Sequence, residues 1–64
     1  MTWELYEVWT VDEDGHEDLL DTTKDIKEAR RIAHKALEDF TSAIIYRDSD
    51  GDLEFVEEVT IDDK

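Results

Sequence analysis

Apolar and polar residues alternate over residues 3–11 (WELYEVWTV), and the apolar positions other than Leu5 are aromatic or β-branched. That pattern predicts a β-strand with two distinct faces. The polar run DEDG at 12–15 interrupts it. A short polar run closing on glycine suits a type I turn followed by a left-handed residue, which makes a three-residue hairpin loop. A return strand is expected over 16–21 (HEDLLD). The period then lengthens from two to 3.6. Across 22–40 (TTKDIKEARRIAHKALEDF), Ile26, Ala29, Ala33, Ala36, Leu37 and Phe40 share one arc of a helix, with Ile32 at its edge. Thr22 or Thr23 is placed to cap this helix, and Asp25 stands three residues after Thr22, as in a capping box. A third strand is expected over 43–47 (AIIYR), a second turn over 48–51 (DSDG), and a fourth strand over 53–61 (LEFVEEVTI).

The two hairpins resemble each other. Asp12, Asp14 and Gly15 align with Asp48, Asp50 and Gly51, Val8 with Ile44, and Leu20 with Val56. Two uses of one good turn account for this. The expected fold is α+β: a two-layer, hairpin–helix–hairpin (ββαββ) domain spanning residues 1–64. It has a four-stranded, mainly antiparallel sheet, one helix on one face, and 62–64 as a loose tail.

One helix covers one sheet face, yet both faces carry apolar residues. If both hairpins use three-residue loops, Leu5, Trp9, Val11, Leu19, Ile45, Leu53, Phe55, Val59 and Ile61 point one way. Tyr6, Val8, Leu20, Ile44, Tyr46 and Val56 point the other. Either Trp9 or Tyr6 is an acceptable anchor for the helix. The second set is the expected dimer face, because an exposed apolar patch of this extent marks an interface more often than a monomer surface.

Charge changes the picture next. The chain carries 20 Asp+Glu against 7 Lys+Arg, a net charge of −13. Over 24–40 five bases meet four acids, so nearly all the excess lies in the strands and turns. Nucleic acid and anionic membrane are both repelled by such a surface, so neither is an expected direct partner. A basic protein is. Asp21 and Glu7 are candidates to lie against the basic flank of the helix. The hydrophobic fraction of 39% and the periodic apolar positions favour a folded domain over disorder. There is no cysteine, so neither a disulfide nor a thiolate zinc site can support a core this small. No apolar run reaches the roughly 18 residues of a membrane span, and the N-terminus lacks the basic start of a signal peptide. A cytoplasmic location is expected.

Candidate chemistry is thin. Asp48-Ser49-Asp50-Gly51-Asp52 invites a calcium-loop reading, but position 6 of such a loop is Leu53 and position 12 is Val59, where glycine and glutamate belong. His16 and His34 stand in no metal-ligand spacing. No Gly-rich phosphate loop or nucleophile motif is present, and no carboxylate pair stands out for acid–base work. The expectation is a non-catalytic protein with no catalytic residue, metal or cofactor. It dimerises through its open sheet face and presents Asp12, Glu13, Asp14, Asp48, Asp50 and Asp52 to a basic partner. Two other accounts of the acidity stand beside this one. The first is mimicry of a phosphate backbone, inhibiting a DNA- or RNA-binding protein. The second is adaptation to high salt with no dedicated acidic site.

Overall fold

A computed structural model describes residues 4–60. The chain runs β1 (Glu4–Val11), β2 (Glu17–Thr23), α1 (Ile26–Ala36), β3 (Ser42–Ser49) and β4 (Asp52–Thr60). All strand pairs are antiparallel, in the order β2-β1-β3-β4. This is the ββαββ, two-layer α+β fold. β2 and β3 both run against β1 and so share a direction. Joining them means passing over β1, a crossing usually made by a helix. Trp3, Ile61 and the tail at 62–64 lie outside the described residues.

The helix is shorter at both ends than its period suggests. Thr22 and Thr23 pair with Glu7 and Tyr6 and belong to β2. The N-cap is therefore Asp25, whose carboxylate accepts the Lys27 N–H at 3.0 Å. Thr23 Oγ1 accepts the Asp25 N–H at 3.3 Å, which fixes the entry. After Ala36 the coil tightens: Leu37, Glu38 and Asp39 N–H groups bond to the carbonyls of His34, Lys35 and Ala36. Leu37 and Phe40 still pack on the core, so the apolar arc outlasts the regular helix.

Buried Ala29 and Ala33, with Ala36 close behind, bring the helix near the sheet. Beneath it lie Val8 and Ile45, both fully buried, with Ala43, Val59 and Thr10. Tyr6, Ile26, Ile32, Leu37, Phe40 and Val56 close the core from its margins. The sequence-based division of faces therefore changes. Tyr6, Val8 and Val56, expected on a dimer face, lie under the helix. Trp9, Leu5 and Val11 take the opposite face with Ile44 and Tyr46.

The phase of β1 against β3 puts Tyr6 and Val8 on the opposite face from Ile44 and Tyr46, and the turns and bulges account for the changes within the hairpins. The first turn has the expected form: Gly15 (φ +85°) closes a three-residue loop, its N–H bonding to Asp12 O at 3.0 Å. The second does not. Ser49 pairs with Asp52, so the loop is Asp50-Gly51 alone, and both residues take positive φ (+53° and +91°), as a type I′ turn requires. One residue fewer in the loop places Leu53 opposite Asp48 and Phe55 opposite Tyr46, on the outer face. A bulge at Val56 then restores Val59 to the core side, and a matching bulge in β2 leaves Leu20 unpaired.

Candidate functional site

The uncovered face of the sheet is the principal candidate. β1 contributes Leu5, Glu7, Trp9 and Val11, and β3 contributes Ile44, Tyr46 and Asp48. Leu19 flanks them from β2; Leu53, Phe55 and Glu58 do so from β4. At its centre three rings stand edge to face. Trp9 and Tyr46 have centroids 6.3 Å apart with planes at 86°, and Tyr46 and Phe55 are 6.3 Å apart at 78°. Such pairs add about 0.5–1.5 kcal/mol beyond the area they bury. The row is nevertheless open to solvent: Leu19 is 50% exposed, Leu53 53% and Phe55 60%.

The charged groups of this face are all acidic. Glu17, Glu7, Asp48 and Glu58 stand opposite or beside the apolar row, and no lysine or arginine occupies an outward position of any described strand. Glu7 is not on the helix flank. It accepts the Trp9 indole N–H at 3.0 Å, which fixes its carboxylate next to the rings. Asp48 stands between Leu5 and Leu53, and its Oδ1 is buried without a hydrogen-bond partner among the described residues. A partnerless buried acceptor costs about 1–3 kcal/mol.

The bases lie on the other side. Arg30 bridges to Glu57 on β4 at 3.1 Å, Arg31 pairs with Glu28 one turn back, and Arg47 pairs with Glu54 across the β3–β4 ladder on the helix side. These pairs are solvent-exposed, and each stabilises by at most about 1 kcal/mol. Asp21 does lie on the helix side. With Leu20, Arg31, Ile32, Lys35 and Phe40 it lines a groove between β2 and the helix.

The six acids expected to face a basic partner do not form one surface. Asp12, Glu13 and Asp14 sit beyond the Val11 end of β1, whereas Asp48, Asp50 and Asp52 lie at its Glu4 end, Asp48 opposite Leu5, Asp52 level with Glu4 and Asp50 in the loop past Ser49. A strand of eight residues separates them, roughly 26 Å. The first group shares a concavity with Glu38, Asp39, Phe40 and Thr41. There Thr41 ties the acidic helix end to the acidic loop, its N–H and its hydroxyl both donating to Val11 O at 3.1 and 2.8 Å. Among the described residues no group of three or more His, Asp or Glu is arranged to hold a metal ion. No described helix is long and apolar enough to cross a membrane.

Fold and surface together define a class: a small two-layer α+β domain whose open sheet face is aromatic at its centre and acidic around it. Comparison of the chain with protein-family models, with curated proteins and with solved structures gives no match.

The aromatic row was partly open to sequence reasoning. Ile44 and Tyr46, from the set given as the dimer face, lie on the uncovered face. Trp9, Leu19, Leu53 and Phe55 fall in the other set of the alternation, with Trp9 an acceptable anchor for the helix. The Asp-Gly pair at 50–51, which suits a two-residue turn as well as a three-residue loop, was the signal that could have moved Leu53 and Phe55.

Proposed function

We propose that this protein is a small, non-catalytic interaction protein that docks a basic partner protein on its open sheet face. The observation that supports this reading is the uncovered row in which exposed Leu19, Phe55 and Leu53 flank half-buried Trp9 and Tyr46, with carboxylates as its only charged neighbours. Exposed apolar area supplies the driving force for association. The unpaired carboxylates choose the sign of the partner and steer its approach. The acidic loops, at opposite ends of the sheet, extend the attraction but do not make a single contact surface.

A second copy of the chain is the alternative occupant, and the extent of exposed apolar side chain favours it. Face-to-face pairing, however, would set Glu7, Asp48 and Glu58 of one copy against the same residues of the other. Salt therefore separates the two occupants: it weakens a basic partner and strengthens a self-dimer. Mimicry of nucleic acid has less support, because carboxylates alternate with rings on this face and the loops do not align into one row.

Photocrosslinking tests the reading. p-Benzoylphenylalanine placed at Phe55 should give an adduct with a basic protein in cells, and the adduct should fade as salt is raised in the lysate. The same probe at His34, on the outer side of the helix, should give none. Equal adducts from both positions, or none from Phe55, would sink the proposal. An adduct of twice the chain's own mass that grows with salt identifies the self-dimer.

A further inference from the structure

Proposing a docking face leaves open which group of the partner is recognised, and the surroundings of Tyr46 bear on that. Tyr46 is flanked on one side by Trp9 and on the other by Phe55, each nearly perpendicular to it. A flat cation can lie against an aromatic ring of such a row while its donors reach the carboxylates beside it. Directly across the β1–β3 ladder from Tyr46 is Glu7, about 5 Å away in such a pair. Its carboxylate is already oriented by the Trp9 indole. Two residues along β3, about 6.6 Å away, is Asp48, whose Oδ1 is buried and partnerless among the described residues. No described lysine or arginine forms an ion pair with either carboxylate.

Resting on the docking reading above, we infer that the partner's anchor is a single arginine side chain seated on the Tyr46 ring between Glu7 and Asp48. A guanidinium is suited to this place for three reasons. It is flat and weakly hydrated, so it stacks on an aromatic face. Its donors are numerous enough to reach two carboxylates at once. Bound, it sets a positive charge beside two carboxylates that have no ion-pair partner among the described residues. The other candidates in the molecule lack such a coincidence. The acidic concavity beside Thr41 is a cluster of like charges alone, and the groove beside Leu20 shows nothing that selects an occupant.

The test uses the full chain and two blocked pentapeptides of leucine and serine that differ only at the central residue, arginine in one and citrulline in the other. Citrulline keeps the planar shape and loses the charge. Binding is followed by amide and indole NMR shifts on the open face. The arginine peptide should shift Trp9, Tyr46 and Phe55 and bind about tenfold more tightly than the citrulline peptide. Glu7→Gln keeps an acceptor for the Trp9 indole and removes the charge, so it should cut the preference for arginine while leaving the fold intact. Equal binding of the two peptides at the open face overturns the arginine anchor and leaves the docking face standing. An unchanged preference in both Glu7→Gln and Asp48→Asn also overturns it. No shift on that face with either peptide overturns the anchor and the docking reading together.

Discussion

Asp12 closes the first hairpin with its own side chain. One carboxylate oxygen accepts the backbone N–H groups of both Asp14 and His16, each at 2.9 Å. The bond from His16 is the largest cause of an acidity greater than the ordinary carboxylate's; desolvation, next in size, opposes it, and the Asp14 N–H and the charge of His16 add to it. The sign follows from linkage. A carboxyl with a lowered native pKa binds its proton less readily folded than unfolded. Its stabilisation is complete above the unfolded value, near 3.8, and is lost as pH falls through the lowered native value. Asp12→Asn keeps the acceptor and abolishes the titration. Urea unfolding of this variant should show a shallower loss of stability below about pH 4 than the parent chain, with little change at pH 7. An identical acid limb in both would remove Asp12 from the account.

At the scale of elements, the helix is held in place by its cap, by three buried alanines and by the partly buried Ile26, Ile32 and Leu37 at its margins. Asp25→Ala should cost about 1 kcal/mol at neutral pH, read as an earlier urea midpoint with an unchanged slope, whereas Thr22→Ala should cost less because Thr22 makes no cap. The helix was legible in the sequence because its apolar spacing is strict. Its start was not, because Thr22 and Thr23 serve equally well as strand residues and only pairing with β1 decides the matter. The strands were legible for the same reason as the helix, and within the first hairpin even the facing of Leu5, Trp9, Val11 and Leu19 was. What alternation cannot give is the phase between hairpins. β1 and β3 are neighbours with no turn between them, and nothing local sets Val8 opposite Ile45 in preference to Ile44. The choice falls to packing: the arrangement that forms buries Val8, Ala43, Ile45 and Val59 beneath small alanines and leaves the rings of Trp9, Tyr46 and Phe55 outside.

On the scale of the whole molecule, the net charge of −13 is unevenly spread, with the described bases confined to the helix side. Five carboxylates converge where Asp12, Glu13 and Asp14 meet Glu38 and Asp39, at the end of the helix where the macrodipole is itself negative. Thr41 holds these parts together against their repulsion. Salt should therefore stabilise the fold. Screening shortens from ~10 Å at 0.1 M to ~3 Å at 1 M, and the melting temperature should rise over that range by about 5 °C, equivalent to ~1 kcal/mol in a domain of this size. A melting temperature that is flat or falling in potassium chloride would show that the ion pairs among the described residues outweigh the repulsion. Because the Phe55 adduct with a basic partner should weaken over the same range, the molecule is expected to be most stable where it binds least.

The two bulges bear on how copies of this chain meet one another. β2 and β4 are the outer strands of the sheet, and each is interrupted near its middle, at Leu20 and at Val56. An interrupted, locally twisted border offers an incoming strand no continuous ladder of N–H and C=O groups. Extension of the sheet from one molecule into the next, the first step towards a fibril, is thereby obstructed on both sides. The chain can keep an aromatic surface in water, ready for a partner, without that surface seeding open-ended stacks along its edges.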